Sequence, residues 1–230
     1  MTLYDTIFAR RAVRKFDKIP LDDEVLSDIQ GFVDSTVNID GQSARFEIVG
    51  GNKIKKAVAP YYILAYCDAN DCAYANVGYV LQKVDLYLQS IGLGSVWLGS
   101  AKPCEMETDY LIMLAFGKTD VPLRAGGQDF KRLPIGEMSD EDNTVAQVAR
   151  LAPSAVNSQP WKLHFEESKV VIRYFGRGLM KAILKKKMNK VDIGIVTRYV
   201  EIALMNEGKT ILSIVPKIGG KDFVVEVVYK

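Results

Sequence analysis

Two short segments hold residue types whose spacing could do chemistry. The first, Arg10-Arg11-Ala12-Val13-Arg14-Lys15-Phe16, places four cations within six residues. Guanidinium forks match the geometry of a phosphate, so one reading is an anion site; the other is a solvated basic helix end. The second is Ala152-Pro153-Ser154-Ala155-Val156-Asn157-Ser158-Gln159-Pro160-Trp161. It combines turn formers and short uncharged polar side chains with one large aromatic. Ser, Asn and Gln donate and accept hydrogen bonds without carrying charge, as a neutral heteroaromatic ring with carbonyl and imide edges would require. The same residues would also serve an ordinary helix-to-strand turn.

Other chemistries have little to work with. The 230 residues contain one histidine, His164, so no site can rest on several imidazoles. His164 falls between Leu163 and Phe165 and reads as a partnered strand residue. Cys67, Cys72 and Cys104 are an odd, sparse set, which fits a reducing compartment better than a disulfide framework and lacks the further ligands of a metal site. Thirty basic and 28 acidic residues leave a net charge of +2, too balanced to announce nucleic acid or an anionic membrane. The first residues carry no signal-peptide pattern, and no run reaches the ~18 apolar residues of a membrane span. The expectation is a soluble cytoplasmic protein. With 48% hydrophobic and 25% charged residues, a chain of this length buries a core unaided.

The elements that must position these segments follow from periodicity. Thr2 to about Arg11 reads as a helix with a basic last turn. Leu21–Asp34 reads as a second helix, capped by Asp22 or Asp23. Arg45–Val49, Tyr61–Cys67, Ser95–Leu98 and Tyr110–Phe116 read as strands. Asp71–Gly92 is a long helix closed by Gly92. Gly117–Met138 is rich in turn chemistry and reads as a crossing loop. The pattern then restarts: a helix over Glu141–Leu151, strands over Trp161–Phe165 and Val170–Phe175, helices over Leu179–Met188 and Val191–Gly208, strands over Ile211–Val215 and Phe223–Val228. Within the first of those two helices, Lys185-Lys186-Lys187 reads as a solvated face, or as an attractor for an anionic substrate.

The restart is a repeat of about half the chain. Gly78 and Gly92 frame the first long helix as Gly194 and Gly208 frame the later one, 116 positions on. At a shift of 119, Asp34-Ser35-Thr36-Val37-Asn38 lies over Pro153-Ser154-Ala155-Val156-Asn157, and Phe46-Glu47 over Phe165-Glu166.

Together the two segments resemble the flavin-dependent nitroreductase family, whose members carry an Arg-Arg-Ser-Val-Arg-x-Phe start and an Ala-Pro-Ser-x-x-Asn-x-Gln-Pro-Trp segment. Asn76-Val77-Gly78, Ile91-Gly92-Leu93-Gly94-Ser95-Val96-Trp97-Leu98-Gly99, Ala115-Phe116-Gly117-Lys118 with Pro122, and Phe130-Lys131-Arg132-Leu133-Pro134 extend the resemblance over the first half. The departure is one of order. In the family the Pro-Ser-x-x-Asn segment follows the Arg motif closely; here it comes in the second half. The family is usually a homodimer holding flavin mononucleotide (FMN) between subunits, so the resemblance implies an internally duplicated chain that mimics the dimer.

The implied fold is α+β, a mostly antiparallel sheet flanked by helices, in two pseudo-symmetric halves, residues 1–132 and 133–230. One composite FMN site would join Arg10, Arg11, Ala12 and Arg14, the strand end Trp97, Leu98, Gly99 and Ser100, and the basic Lys131 and Arg132 to Pro153, Ser154, Ala155 and Asn157 of the second half. Ala12 and Gly99 stand where relatives often have Ser and Glu. Gln159 and Trp161 would support the loop. The resemblance further implies ping-pong transfer from NAD(P)H to a small electron acceptor such as a quinone or nitroaromatic. No catalytic side chain is required, since the flavin carries the chemistry. One FMN per chain and a possible monomer follow; a flavin carrier or an oxygen-dependent flavin-using protein on the same fold is the alternative. The cover over the flavin is expected from Leu179–Asn189.

Overall fold

In the computed structural model, residues 1–126, 130–176, 187–219 and 222–230 are described. Among the described residues the amphipathic segments form five α-helices: α1 (Leu3–Ala9), α2 (Asp23–Asp34), α3 (Asp71–Ser90), α4 (Thr144–Arg150) and α5 (Met188–Asn206). The strands are β1 (Arg45–Gly50), β2 (Tyr61–Tyr66), β3 (Gly94–Leu98), β4 (Tyr110–Gly117), β5 (Trp161–Glu166), β6 (Lys169–Tyr174), β7 (Ile211–Gly219) and β8 (Asp222–Tyr229). Most of the helix expected over Leu179–Met188, with Lys185 and Lys186 and the greater part of the expected cover, lies outside the described residues.

The expected antiparallel sheet is present in two copies. The first four-stranded sheet runs β1-β2-β4-β3 and the second β5-β6-β8-β7, the same order displaced by four strands. All named pairs are antiparallel. These are the two pseudo-symmetric halves of the expected α+β fold.

The halves meet where α3 crosses α5. A Cβ on Gly78 would stand 2.0 Å from the Val191 carbonyl oxygen, and one on Gly194 would stand 1.8 Å from the Ala75 carbonyl oxygen. Displaced by 116, Gly78 becomes Gly194 and Ala75 becomes Val191. The contact is therefore reciprocal, as in a two-fold dimer interface, but formed within one chain. Only hydrogen side chains let the helix backbones approach so closely. Both helices are buried on nearly every face, and one apolar core runs through both halves.

Several element ends differ from expectation, among them the following. α1 stops at Ala9 after a capping box between Thr2 and Asp5, and Arg10 already has extended backbone. The cations therefore lie beyond the helix, not in its last turn. They run along β3, where the Val13 N–H donates to the Ser95 carbonyl at 2.9 Å and Val13 is buried. Asp22 holds the N-cap position of α2 without a side-chain bond to the helix. α4 begins three residues later than expected because Asn143 caps it, accepting the Ala146 N–H.

Candidate active site

A cavity of about 510 Å³ lies between the halves. This is within the roughly 300–1,000 Å³ of small-molecule and cofactor sites. One wall comes from the first half: Arg10, Ala12 and Arg14 of the segment after α1, then Trp97, Gly99 and Ser100 at the end of β3. The facing wall is the loop Pro153–Val156 and the start of α5, with Met188, Val191, Asp192 and Ile195. Residues about 140 positions apart in sequence thus share one space.

The first wall is braced from below. Arg10 is buried, and its Nε pairs with Asp85 of α3 at 2.9 Å. Asp85 is itself fully buried and also accepts from Ser95 Oγ at 2.6 Å and Gln82 Nε2 at 3.0 Å. Gln89 completes this network, donating to the Arg11 carbonyl and accepting the Arg11 N–H. A buried ion pair of this kind holds its geometry because every unsatisfied lone pair would be costly. Arg14, by contrast, is exposed at the cavity and makes no hydrogen bond or ion pair to a described residue. The indole Nε1 of Trp97 is buried without a partner.

The second wall depends on strained backbone. Val156, Asn157 and Gln159 have φ of 48°, 57° and 46°. For a β-branched residue such as Val156 this conformation is rare and needs external support. The support is specific. The Gln159 N–H donates to Ser154 Oγ at 2.9 Å, and Gln159 Oε1 accepts the Leu133 N–H. Asn157 Nδ2 donates to the Lys131 carbonyl, and Arg132 donates to Asn157 Oδ1 and to the Leu151 carbonyl. At the other end, the Ala155 N–H donates to Asp192 Oδ1 at 3.0 Å.

The structure brings Arg10, Ala12, Arg14, Trp97, Gly99, Ser100, Pro153, Ser154 and Ala155 to the cavity. Five other expected residues are not among its lining. Arg11 is drawn aside to the Pro122 carbonyl. Leu98, by strand alternation, packs on the opposite face of the sheet with the smaller core cluster. Lys131, Arg132 and Asn157 are tied to one another, and burial lowers the Arg132 guanidinium to about 10. They brace the loop. Trp161 is in the core, and His164 pairs with Asp140 at the surface. Among the described residues no group of His, Cys, Asp and Glu could hold a metal ion.

Met188 falls within the expected cover Leu179–Asn189, but the sequence reading missed the later α5 residues, above all Asp192. It is buried in the cavity wall, one oxygen on Ala155 and the other, Oδ2, without a partner. Burial pushes its carboxyl up to about 8, opposed only by the Ala155 N–H. The signal was a lone carboxylate within Val191-Asp192-Ile193-Gly194-Ile195-Val196, at the repeat position of Asn76.

At that repeat position the described residues pack differently. Asn76 accepts the Ile39 N–H at 2.8 Å and donates to Asn38, as Asp192 holds Ala155. There, however, the loop closes directly onto β7. The Asp40 N–H donates to the Ile214 carbonyl, the Ile214 N–H donates to Asp40 Oδ2, and Ile39 is buried.

A nitroreductase-like fold is also what known proteins show by similarity. The family model described as "Putative TM nitroreductase" matches residues 2–204, and the chain belongs to that family. A crystal structure from Thermotoga maritima described as a "putative nitroreductase" superposes with a TM-score of 0.71 at 20% identity, covering 99% of this chain and 94% of that one. Smaller neighbours match in part. An FMN-dependent nitroreductase from Clostridium difficile has 18% identity and a TM-score of 0.41, covering 49% of this chain and 84% of its own. A "putative nitroreductase" in complex with FMN from Desulfovibrio desulfuricans has 18% identity and a TM-score of 0.46, covering 61% and 96%. No curated protein matches the chain. No helix among the described residues is long and apolar enough to cross a membrane.

Proposed function

We propose that this chain is an FMN-dependent oxidoreductase that passes reducing equivalents from NAD(P)H to a small electron acceptor, a quinone or nitroaromatic in chemical type. The balance is NAD(P)H + H⁺ + acceptor giving NAD(P)⁺ and the two-electron-reduced acceptor, a hydroquinone from a quinone or a nitroso compound and water from a nitroaromatic. The observation that carries the reading is the shared cavity: the cationic segment and the Pro-Ser-Ala loop, far apart in the chain, form its two walls.

The residues present fit the cofactor. Arg14 offers an uncommitted guanidinium, and Trp97 Nε1 is a buried donor lacking an acceptor. Arg10 and Arg14 would hold the phosphate, with charge-assisted bonds. Ser154 and the backbone of Pro153–Ala155 would meet the ring from the second half, and the β3 end, Trp97 to Ser100, from the first. Bound FMN would supply the redox chemistry; the chain's part is to grip, orient and exclude water. The site is built from residues 1–132 and 133–230 of one chain, so the proposal requires no second copy.

The test is to purify the protein, record its visible spectrum and measure flavin released on denaturation. About one FMN per chain, with NAD(P)H oxidation on adding a quinone, is expected. Two per chain would refute the single composite site. Failure to take up added FMN would refute the cofactor. FMN uptake without NAD(P)H oxidation would favour a flavin carrier.

A further inference from the structure

We propose that Asp192 is a ligand-binding and loop-positioning residue of this site, its neutral carboxyl holding Ala155 with one oxygen and donating a proton from the other to a hydrogen-bond acceptor on the bound ring. The inference rests on the flavin reading above and deepens it.

Three observations carry it. Asp192 lines the cavity yet is only 2% exposed. Oδ1 is already satisfied by the Ala155 N–H, the first loop amide after Ser154. Among the described residues Oδ2 has no hydrogen-bond partner and Asp192 no ion pair. An ionised carboxylate in that position would be an unpaired buried charge, which folded proteins avoid by staying protonated. A protonated carboxyl has one O–H to give, and no described residue takes it. The cavity's ligand is what can.

The charged groups nearby do not alter this. Arg10 is committed to Asp85 across the cavity, and Arg14 is at the exposed side. On α5 itself Lys190 pairs with Asp71 of α3. Cys72 of α3 has its thiol pushed up by burial, and the Pro153–Val156 loop brings no ionisable side chain. Among the described residues no charged side chain contributes to the rise at Asp192, which comes from burial. The cavity therefore has a cationic end for phosphate and a neutral-acid end for an acceptor group. The comparison with Asn76 supports the positional part: the repeat-related side chain also holds a loop amide, and there an amide NH₂ supplies the second bond, to Asn38.

The experiment follows FMN binding to the apo-protein by flavin fluorescence from pH 6 to 9, in the wild type and in Asp192→Asn and Asp192→Leu. A protonated-carboxyl infrared band is tracked in parallel in the unliganded wild type. Wild-type affinity is expected to fall by up to about tenfold per pH unit once the carboxyl ionises. Asp192→Asn keeps both an acceptor and a donor, so it should bind within about threefold of wild type at pH 7 with no matching pH dependence. Asp192→Leu should lose at least about tenfold at pH 7. The infrared band should persist at pH 7 and vanish in both variants.

FMN binding that is equally pH-independent in wild type and Asp192→Asn would overturn this proposal alone. So would an infrared band already lost by pH 6. Absence of FMN uptake by the wild type would overturn the flavin reading and this proposal with it.

Discussion

Replacing Gly194 with alanine tests the helix crossing on which the whole site is built. The added Cβ would stand 1.8 Å from the Ala75 carbonyl oxygen, 2.7 Å from its carbon and 2.7 Å from the Tyr79 amide nitrogen. Ordinary contact begins at 3.4 Å, so α5 must move away from α3 by about 1.6 Å. The obstruction is backbone on both sides, and no rotamer change relieves it. Overpacking a core costs roughly 1–3 kcal/mol and here should reach or exceed the upper end, while the better helix propensity of alanine returns about 1 kcal/mol. A net loss of roughly 2–3 kcal/mol is expected, or roughly 4–12 °C in Tm for a chain of this size. Gly78→Ala, 2.0 Å from the Val191 carbonyl oxygen, should cost a similar amount. The double variant should cost less than the sum, because one separation relieves both clashes. Because α5 carries Met188, Val191 and Asp192, FMN affinity should fall as well. Thermal and urea unfolding of the FMN-free protein decide the matter. A Gly194→Ala Tm within about 1 °C of wild type would refute the close crossing.

Four further outcomes follow from particular contacts. Asp85→Asn strands Arg10 as a buried cation without its counterion and should destabilise the fold by about 3–5 kcal/mol in urea unfolding. Arg14→Ala removes an exposed cation and should leave Tm unchanged while weakening FMN binding about 10- to 100-fold, less so at high salt. The Asp192 carboxyl is raised from 3.8 to about 8, so its favourable contribution is fully present below pH 4 and lost as pH rises through 8. The stability of wild type relative to Asp192→Asn should therefore drop, on the order of 5 kcal/mol, between those limits in denaturant titrations. Burial pushes the Cys67 thiol to about 11, so at pH 8 about one molecule in a thousand carries the thiolate. Iodoacetamide followed by peptide mass spectrometry should find exposed Cys104 alkylated long before Cys67.

Much of this was legible before any coordinates. Strand and helix periods are local properties, and seven of the eight strands were placed within two residues of their ends; β7 runs on to Gly219. The sharing of one cavity by Arg10, Arg14 and Pro153–Ala155 was anticipated only through the family resemblance, which implied that distant segments meet as subunits would. Less was legible where partners decide orientation. Arg11, Arg14 and Arg132 are the same residue type in similar basic runs. One reaches a carbonyl at Pro122, one faces the cavity, and one braces Asn157. No spacing rule separates them.

The sequence by itself determined that there are two similar halves, which elements each contains, and that the second half alone keeps an intact Pro-Ser-x-x-Asn loop. These follow from hydrophobic period, turn residues and repeat distance, all carried along the chain. Only the tertiary structure decided that β7 closes on Asp40 whereas β3 and the Pro153–Val156 loop face each other across a cavity. Only the tertiary structure, likewise, made Asp192 part of the wall. Burial, and the absence of any cation to pair with, are properties of what surrounds a side chain, and its surroundings come from residues far away in the sequence.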